Sequence, residues 1–488
     1  MLLTQMLENI PCRLSANIND IEITGITPDP TLCKAGYLFV CIKGFTRDGH
    51  LVIDKAIENG AVAFAIDEGR PEIEEKLNEL SLPYAVFENT RAGEAYLTSR
   101  FYGDPWKDLK ITAVTGTNGK TSTVTMLTEI YLAAGIKAGT IGTITGNMTT
   151  PDPAVLYPLL ANFRDEGYTH VIMEASSHAL ALGKLEPIYF DCGIFTNLTP
   201  EHLDFHKTLD EYAKAKAKLF PKVKRAIINA DDSYASVMIS AAKDPVLCSA
   251  KGTSVDFCAK NISDNKSQGI DYDVFTKDLV FRITSPIPGS FTVMNTLEAA
   301  TAAYTDGIPH RTVMAALSRF TGVKGRMERI SLPTNDFSLY IDFAHTPDAL
   351  ENVLKTVRRF MKDEQRLVLL FGCGGDRDRT KRPVMGGIAS KMADFVIVTS
   401  DNSRSENTRD IINNILEGFD ESCPHTVIEN RKEAIEYAVR TAQLGDVILL
   451  AGKGHEEYEI MPDGTHPFSE RNIALEASKQ YLKDHGLY

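Results

Sequence analysis

The sequence predicts an α/β protein of several domains, and three observations carry that expectation. Short apolar runs rich in Val, Ile and Phe alternate with segments of helical period along most of the chain. Most of these runs end at polar or glycine-bearing loops, where open parallel sheets bind their ligands. A length of 488 residues exceeds what one hydrophobic core organises, so about three domains are expected.

The candidate strands are Lys110–Thr115, His170–Met173, Asp191–Phe195, Ala226–Asn229, Ser338–Asp342, Leu367–Phe371, Phe395–Thr399 and Val447–Leu450. The turn-rich Tyr102-Gly103-Asp104-Pro105-Trp106 precedes the first strong strand–loop–helix unit and closes a leading domain, residues 1–106. A second boundary falls after Gly325-Arg326-Met327-Glu328, where a helical stretch gives way to the strand ending at Asp342. The expected domains are therefore 1–106, 107–328 and 329–488.

Composition excludes several classes of function. With 43% hydrophobic and 24% charged residues, no apolar run is long enough to span a bilayer, so membrane insertion is not expected. The opening MLLTQMLENIPCRL has neither a basic leader nor an uninterrupted apolar stretch, which predicts a cytoplasmic protein. Eight cysteines are scattered without a CxxC pair, as reduced core or loop thiols rather than a zinc ribbon or disulfide framework. A net charge of -13 opposes nucleic-acid binding, yet a helix N-terminus and one or two cations still hold a phosphate locally.

Lys110–Thr115 reads as a buried strand and Thr123–Leu132 as a helix ending before Gly135. Between them lies Gly116-Thr117-Asn118-Gly119-Lys120-Thr121, followed by Ser122. Its glycines let backbone N–H groups face an anion at the positive end of the helix dipole. Lys120 is placed to touch outer phosphates and Thr121 to offer a hydroxyl to Mg²⁺. The spacing is a variant of GxxxxGK[ST], since Val114 stands at the first-glycine position; the plain alternative is a turn that merely joins strand to helix.

GTNGKTST after a strand resembles the ATP loop of the Mur ligase superfamily. Thr149-Thr150-Pro151, Glu174-Ala175-Ser176-Ser177-His178-Ala179-Leu180, Phe195-Thr196-Asn197-Leu198-Thr199, His202-Leu203-Asp204-Phe205-His206, Phe343-Ala344-His345-Thr346-Pro347-Asp348-Ala349-Leu350, Gly372-Cys373-Gly374-Gly375-Asp376-Arg377-Asp378 and Gly452-Lys453-Gly454-His455-Glu456 follow. Their order is that of UDP-N-acetylmuramoyl-tripeptide synthetases, and the resemblance runs from about Gly25 to Arg471. It implies three α/β domains: one for the UDP end of the substrate, a central P-loop ATPase and a Rossmann-like C-terminal domain that receives an amino acid. It also implies a monomeric ligase of peptidoglycan synthesis that uses ATP and Mg²⁺ and makes an acyl phosphate.

By that resemblance Lys120, Glu174, His202 and Lys216 are the catalytic positions, and Thr121, Glu174, His202 and a carbamylated Lys216 the metal positions. A structural hydrogen-bonding role rivals the metal role of His202. Ala213-Lys214-Ala215-Lys216-Ala217-Lys218 also reads as a solvated helix face. Asn295, Arg326, Asp342 and His345 resemble nucleotide contacts. Asp342 suits either a ribose or a cation-bound water, against a buried ion pair with Arg326. Thr149, Thr150, Ser176 and Lys184 match the UDP-peptide side.

Arg377, Asp401, Asn402, Arg404, Gly452 and Glu456 match the amino-acid pocket. Asp401-Asn402-Ser403-Arg404 stands where diaminopimelate-adding relatives carry Asp-Asn-Pro-Arg, and a guanidinium suits the second carboxylate of meso-diaminopimelate, whereas L-lysine offers an ammonium there. Three departures concern the other substrate, the UDP-linked muramoyl dipeptide, and the nucleotide. Gly25–Thr31 keeps only the Asp of the family's Tyr-Asp-Ser-Arg loop, Lys184 replaces an arginine, and Thr292 replaces an asparagine near the nucleotide. The alternatives are a lysine-adding enzyme, a related ligase acting on a carboxylate without UDP, and a non-catalytic nucleotide-binding regulator.

Overall fold

The computed structural model describes all residues except 45–46, 147, 253–254, 266–268, 421 and 487–488. Three α/β units follow one another along the chain. The first is a five-stranded sheet in the order Arg13–Leu14, Tyr84–Phe87, Ala61–Asp67, Tyr37–Val40, Gly25–Thr27. Only its first pair is antiparallel.

The second sheet has nine strands: Val280–Ser285, Ile270–Phe275, Phe257–Asp264, Pro245–Ser249, Val223–Asn229, Phe190–Phe195, Lys110–Thr115, His170–Glu174 and Ala138–Ile141. The strands from Phe257–Asp264 to Ala138–Ile141 run parallel, and Ile270–Phe275 and Val280–Ser285 extend the opposite edge through antiparallel pairs. Burial follows from that difference. His170–Glu174 is buried at every residue, because helices cover both faces. Val280–Ser285 alternates exposed and buried, because one face meets solvent. Lys110–Thr115 lies between Phe190–Phe195 and His170–Glu174, where the chain changes direction across the sheet. Such a switch point opens a crevice at the carboxyl ends of the strands.

The third sheet runs Glu328–Ile330, Ser338–Asp342, Val447–Ala451, Leu367–Phe371, Phe395–Val398, His425–Val427, antiparallel only at its first pair. Lys110–Thr115, Ser338–Asp342 and Leu367–Phe371 coincide with the sequence expectation. The strand expected to stop at Met173 continues through Glu174, so that carboxylate ends the strand instead of capping the loop after it. The segment after Gly325 holds an edge strand of its own, Glu328–Ile330. All eight cysteines are free thiols, and among the described residues no helix is long and apolar enough to cross a membrane.

One buried cation ties two strand ends of the third sheet together. Arg431 donates from Nε to Glu470 Oε1 (2.9 Å), from Nη1 to Ser400 O (3.0 Å) and from Nη2 to Ala451 O (2.8 Å). Both side chains of the pair are shielded from water, at 0% and 1% exposure. Removing one partner leaves a buried charge alone, so Arg431→Met should lower unfolding free energy by about 3–5 kcal/mol. Urea denaturation of the two proteins measures this.

Candidate active site

The loop after Lys110–Thr115 is shaped by close approach. Gly119 has φ +87°, and a Cβ there would lie 2.4 Å from Asn295 Oδ1; one on Gly116 would lie 1.9 Å from Thr196 Oγ1. Only glycine fits at either position. The motif Thr196-Asn197 cradles the loop: Thr117 N donates to Asn197 O (2.8 Å), Asn118 N to Asn197 Oδ1 (2.9 Å), and Thr196 Oγ1 to Asn118 O (2.6 Å). Helix Lys120–Ala133 starts directly after Gly119, with its amino end facing the loop.

Two lysines converge on one peptide oxygen. Lys120 Nζ donates to Gly116 O (3.0 Å) and Thr117 O (2.7 Å), and Lys216 Nζ donates to Gly116 O (2.7 Å). Burial lowers the pKa of Lys120. Burial, joined by the neighbouring Lys120 charge, holds Lys216 well below the usual lysine range. Lys214 and Lys218 are exposed while Lys216 is 1% exposed and lies 4.4 Å from the Tyr212 ring, so this helix does not present Lys216 to solvent.

Thr121 Oγ1 donates to Glu174 Oε1 (3.1 Å), which also accepts from Thr143 N (2.9 Å). A hydroxyl and a buried carboxylate at the phosphate loop suit Mg²⁺, which takes few protein ligands and completes its shell with phosphate oxygens and water. No hydrogen bond or ion pair joins His202 or Lys216 to that pair among the described residues. Arg326 reaches Thr121 Oγ1 through Nη2 (3.3 Å) and lies over the Phe343 ring. Asp342 accepts from Met327 N (2.7 Å) and Ala344 N (2.8 Å), so its oxygens already cap backbone. Asn118, Gly119, Ser122, Asn295, Arg326 and Asp342 line one cleft with Met126, Phe291, Phe320 and Val353; Thr292 lines it too.

A second cavity, of about 650 Å³, lies between the central and C-terminal units. His178, Glu201 and His202 line it from the central unit, and His345, Arg377, Asp401, Asn402, Arg404, Gly452 and Glu456 from the C-terminal unit. Asn402 organises the far wall: its Nδ2 donates to Glu456 Oε2 (2.9 Å), and its Oδ1 accepts from Lys453 Nζ (3.0 Å) and Ile460 N (2.9 Å). Arg404 Nη1 donates only to the carbonyls of Gly375 (2.9 Å) and Asn402 (3.2 Å), and Arg377 Nη1 to that of Asp376 (3.0 Å). Neither guanidinium has an ion pair among the described residues.

Glu201 was not among the residues singled out from sequence. Its Oε1 lies 3.7 Å from His202 Nε2 and 3.8 Å from His345 Nε2, so it bridges two units of the protein. Burial pushes its pKa up, but His202, His345, Lys120 and Lys216 together hold it below the usual value. It directly precedes the motif beginning at His202, and that adjacency was its only sequence signal.

The residues expected on the carboxylate-substrate side hold structural contacts. Thr150 Oγ1 donates to Glu174 O (2.9 Å) and accepts from Ser176 N (2.9 Å); Ser176 Oγ caps helix Ser177–Ala181, and Thr149 is half-buried beside Thr143. Lys184 is paired with Asp152. Asp29, the residue kept from the family's uridine loop, caps a short helix by accepting from Thr31 N (2.8 Å).

Comparison with known proteins places this geometry. The chain is 43% identical to the UDP-N-acetylmuramoyl-L-alanyl-D-glutamate--2,6-diaminopimelate ligase of Caldanaerobacter subterraneus subsp. tengcongensis, over 98% of both chains. The chain belongs to the Mur ligase family. Models described as "Mur ligase family, catalytic domain", "Mur ligase middle domain" and "Mur ligase, glutamate ligase domain" match residues 22–102, 114–303 and 325–454. The protein of the same name from Syntrophomonas wolfei subsp. wolfei is 39% identical, over 99% of this chain and 100% of that one. A solved structure of a UDP-N-acetylmuramoyl-L-alanyl-D-glutamate--2,6-diaminopimelate ligase is 30% identical with TM-score 0.68, covering 98% of this chain and 99% of that one.

Glu94, on helix Thr90–Phe101, adds a pH dependence where the first unit meets the Lys184–Asp152 pair. Burial and then Asp152 raise its carboxyl from 4.5 to about 7. The folded state therefore binds a proton that the unfolded state has released, and stability falls as pH rises from about 4.5 through about 7. The full penalty is about 3 kcal/mol. Glu94→Gln should remove it, raising Tm relative to the parent at pH 8 and not at pH 4, as measured by calorimetry.

Proposed function

We propose that the protein is an ATP-dependent ligase that adds meso-diaminopimelate to UDP-N-acetylmuramoyl-L-alanyl-D-glutamate in peptidoglycan synthesis. In this reading residues 1–106 serve the UDP end, 107–328 hold ATP and 329–488 receive the amino acid. The observation that carries it is the cavity whose walls are His202 and Glu201 on one side and Arg377, Arg404, Asn402 and Glu456 on the other. The curated relatives support the choice of substrates by their names.

The backbone of Gly116–Gly119 and the amino end of helix Lys120–Ala133 receive the phosphates, and Lys120 turns from its carbonyl partners to the outer phosphate. Asn295, Arg326 and Asp342 line the cleft that would take the nucleotide, Asn295 as its adenine-side contact, and His345 lines the adjoining cavity. Thr121 and Glu174 would hold Mg²⁺, with His202 and a carbamylated Lys216 in the family's remaining metal positions; bound there, the ion offsets the charge of phosphate and carboxylate oxygens. The depressed pKa of Lys216 supports carbamylation, since a neutral amine is the form that takes up carbon dioxide.

The substrate carboxylate, aligned by Thr149, Thr150, Ser176 and Lys184, attacks the γ-phosphorus and ADP leaves. The amine of the incoming amino acid then displaces phosphate from the acyl phosphate. Glu456 and Asp401 suit its ammonium groups. Arg404 and Arg377, lacking ion pairs of their own, suit carboxylates, which favours diaminopimelate over L-lysine.

A second reading is a ligase acting on a carboxylate without UDP. Asp29 serving as a local cap and Lys184 neutralised by Asp152 favour it.

The test is ATP-dependent coupling of UDP-N-acetylmuramoyl-L-alanyl-D-glutamate with meso-diaminopimelate or L-lysine, offered separately, with products read by mass. Absence of product with both amines removes the first reading. Lys120→Ala and Glu174→Ala should each lower turnover on the order of a hundredfold or more, with unchanged circular dichroism. Arg404→Ala should raise KM for diaminopimelate about tenfold to a hundredfold and leave the weak use of lysine unchanged; an unaltered preference assigns the second carboxylate to another residue.

A further inference from the structure

The phosphate loop is gripped from two directions. From the central unit, Asn197 and Thr196 hold the backbone of Thr117 and Asn118. From the C-terminal unit comes a side-chain contact: Asn118 Nδ2 donates to Asp348 Oδ2 (2.7 Å). Thr199, the last residue of the cradle motif, completes a triangle, lying 3.4 Å from both Asn118 Nδ2 and Asp348 Oδ2 through its Oγ1.

Asp348 is the second residue of helix Pro347–Phe360. That helix begins without its help, since Thr346 Oγ1 caps it by accepting from Ala349 N (3.3 Å) and Pro347 presets its first turn. A carboxylate in the first turn favours the helix dipole, but that holds for many orientations of the side chain and does not account for its contact with Asn118. The same helix continues as a wall of the nucleotide cleft, through Ala349, Asn352 and Val353. One element of the C-terminal unit thus touches the phosphate loop at its start and closes the cleft one turn later.

We infer that Asp348 is a positioning residue which, through Asn118, holds the phosphate loop in its working shape only while the C-terminal unit is docked. Phosphoryl transfer then waits for the unit that brings the acceptor amine, and an acyl phosphate is not formed in the open protein, where water would consume it. The inference rests on the ligase reading for its purpose. Its geometry is independent of which carboxylate is joined.

The test uses the full chain as Asp348→Ala, Asp348→Asn, Asn118→Ala and the double variant Asp348→Ala with Asn118→Ala. Coupling turnover is measured at saturating ATP and diaminopimelate. Small-angle X-ray scattering is recorded with and without a non-hydrolysable ATP analogue. Asp348→Ala should lose about tenfold in kcat with KM for ATP changed less than threefold. Asp348→Asn, which keeps an oxygen for the Asn118 amide, should restore most of it. The double variant should be no worse than Asn118→Ala alone. The analogue should compact the parent and not Asp348→Ala. Asp348→Ser, compatible with a first helical turn but too short to reach Asn118, gives the same comparison if the alanine variant does not fold. Full kcat in Asp348→Ala, additive losses in the double variant, or equal compaction of both proteins overturns the inference. If the parent makes no product, the ligase reading fails, and scattering alone decides whether Asp348 holds the units together.

Discussion

The carbonyl oxygen of Gly116 receives two lysine ammonium groups, and much of the active-site layout follows from that crowding. Both lysines lose hydration where they meet this oxygen, and that burial, joined at Lys216 by the Lys120 charge, is why both sit below their usual range. The arrangement persists because the peptide dipole accepts from both and because Glu174 and Glu201 supply opposite charge nearby. A polyanion entering this site meets donors that are already desolvated and oriented, so little reorganisation is left for the moment of reaction. The glycines are part of the same constraint. Side chains at 116 or 119 would push the loop off Thr196 and Asn295 and move that oxygen away from the lysines.

The fold places this oxygen at the carboxyl end of a central strand, with a neighbouring strand delivering Glu174 on one side and another delivering Thr196 and Asn197 on the other. Parallel strands end in register, so three loops meet without any one of them needing to be long. The C-terminal unit repeats the device. Phe395–Val398 and Val447–Ala451 flank Leu367–Phe371, and Arg431 clamps Ser400 to Ala451 across it, with Asp401, Asn402 and Gly452 lining one cavity. The walls of this cavity are fixed by the Arg431–Glu470 pair, with Asn402 joined to Glu456, Lys453 and Ile460.

What was legible in sequence tracks how local the cause was. Leu367–Phe371 is a continuous apolar run, and Lys110–Thr115 is buried on both faces after its first residue; the ends of both coincide with the sequence expectation. The first sheet was not resolved into strands beforehand: Gly25–Thr27 and Tyr37–Val40 are three and four residues long, too short for a period to show. Lys216 is the instructive case. Three lysines alternate with alanines, a pattern that suits a wet helix, and only contact with Gly116, 100 residues away, makes the middle lysine different from its neighbours. Glu201 and Arg431 were missed for the same reason, because the partners that define them, His345 and Glu470, lie far along the chain.

Two charged clusters of the protein are unequally paired. In the cavity between the units Arg377 and Arg404 are held by neutral carbonyls, which orient a guanidinium without satisfying its charge, while Glu456 and Asp401 line the same cavity. An amino acid bearing carboxylates and ammonium groups at both ends complements that wall directly. At the other end Lys184 is already neutralised by Asp152, and Glu94 is buried close by with its proton held to about pH 7. A further carboxylate brought to Lys184 would compete with Asp152 and gain only the difference between two ion pairs, which is small where water still reaches. Of these two clusters, the cavity between the units keeps guanidinium charge without an ion pair among the described residues, and the lysine of the other is already paired.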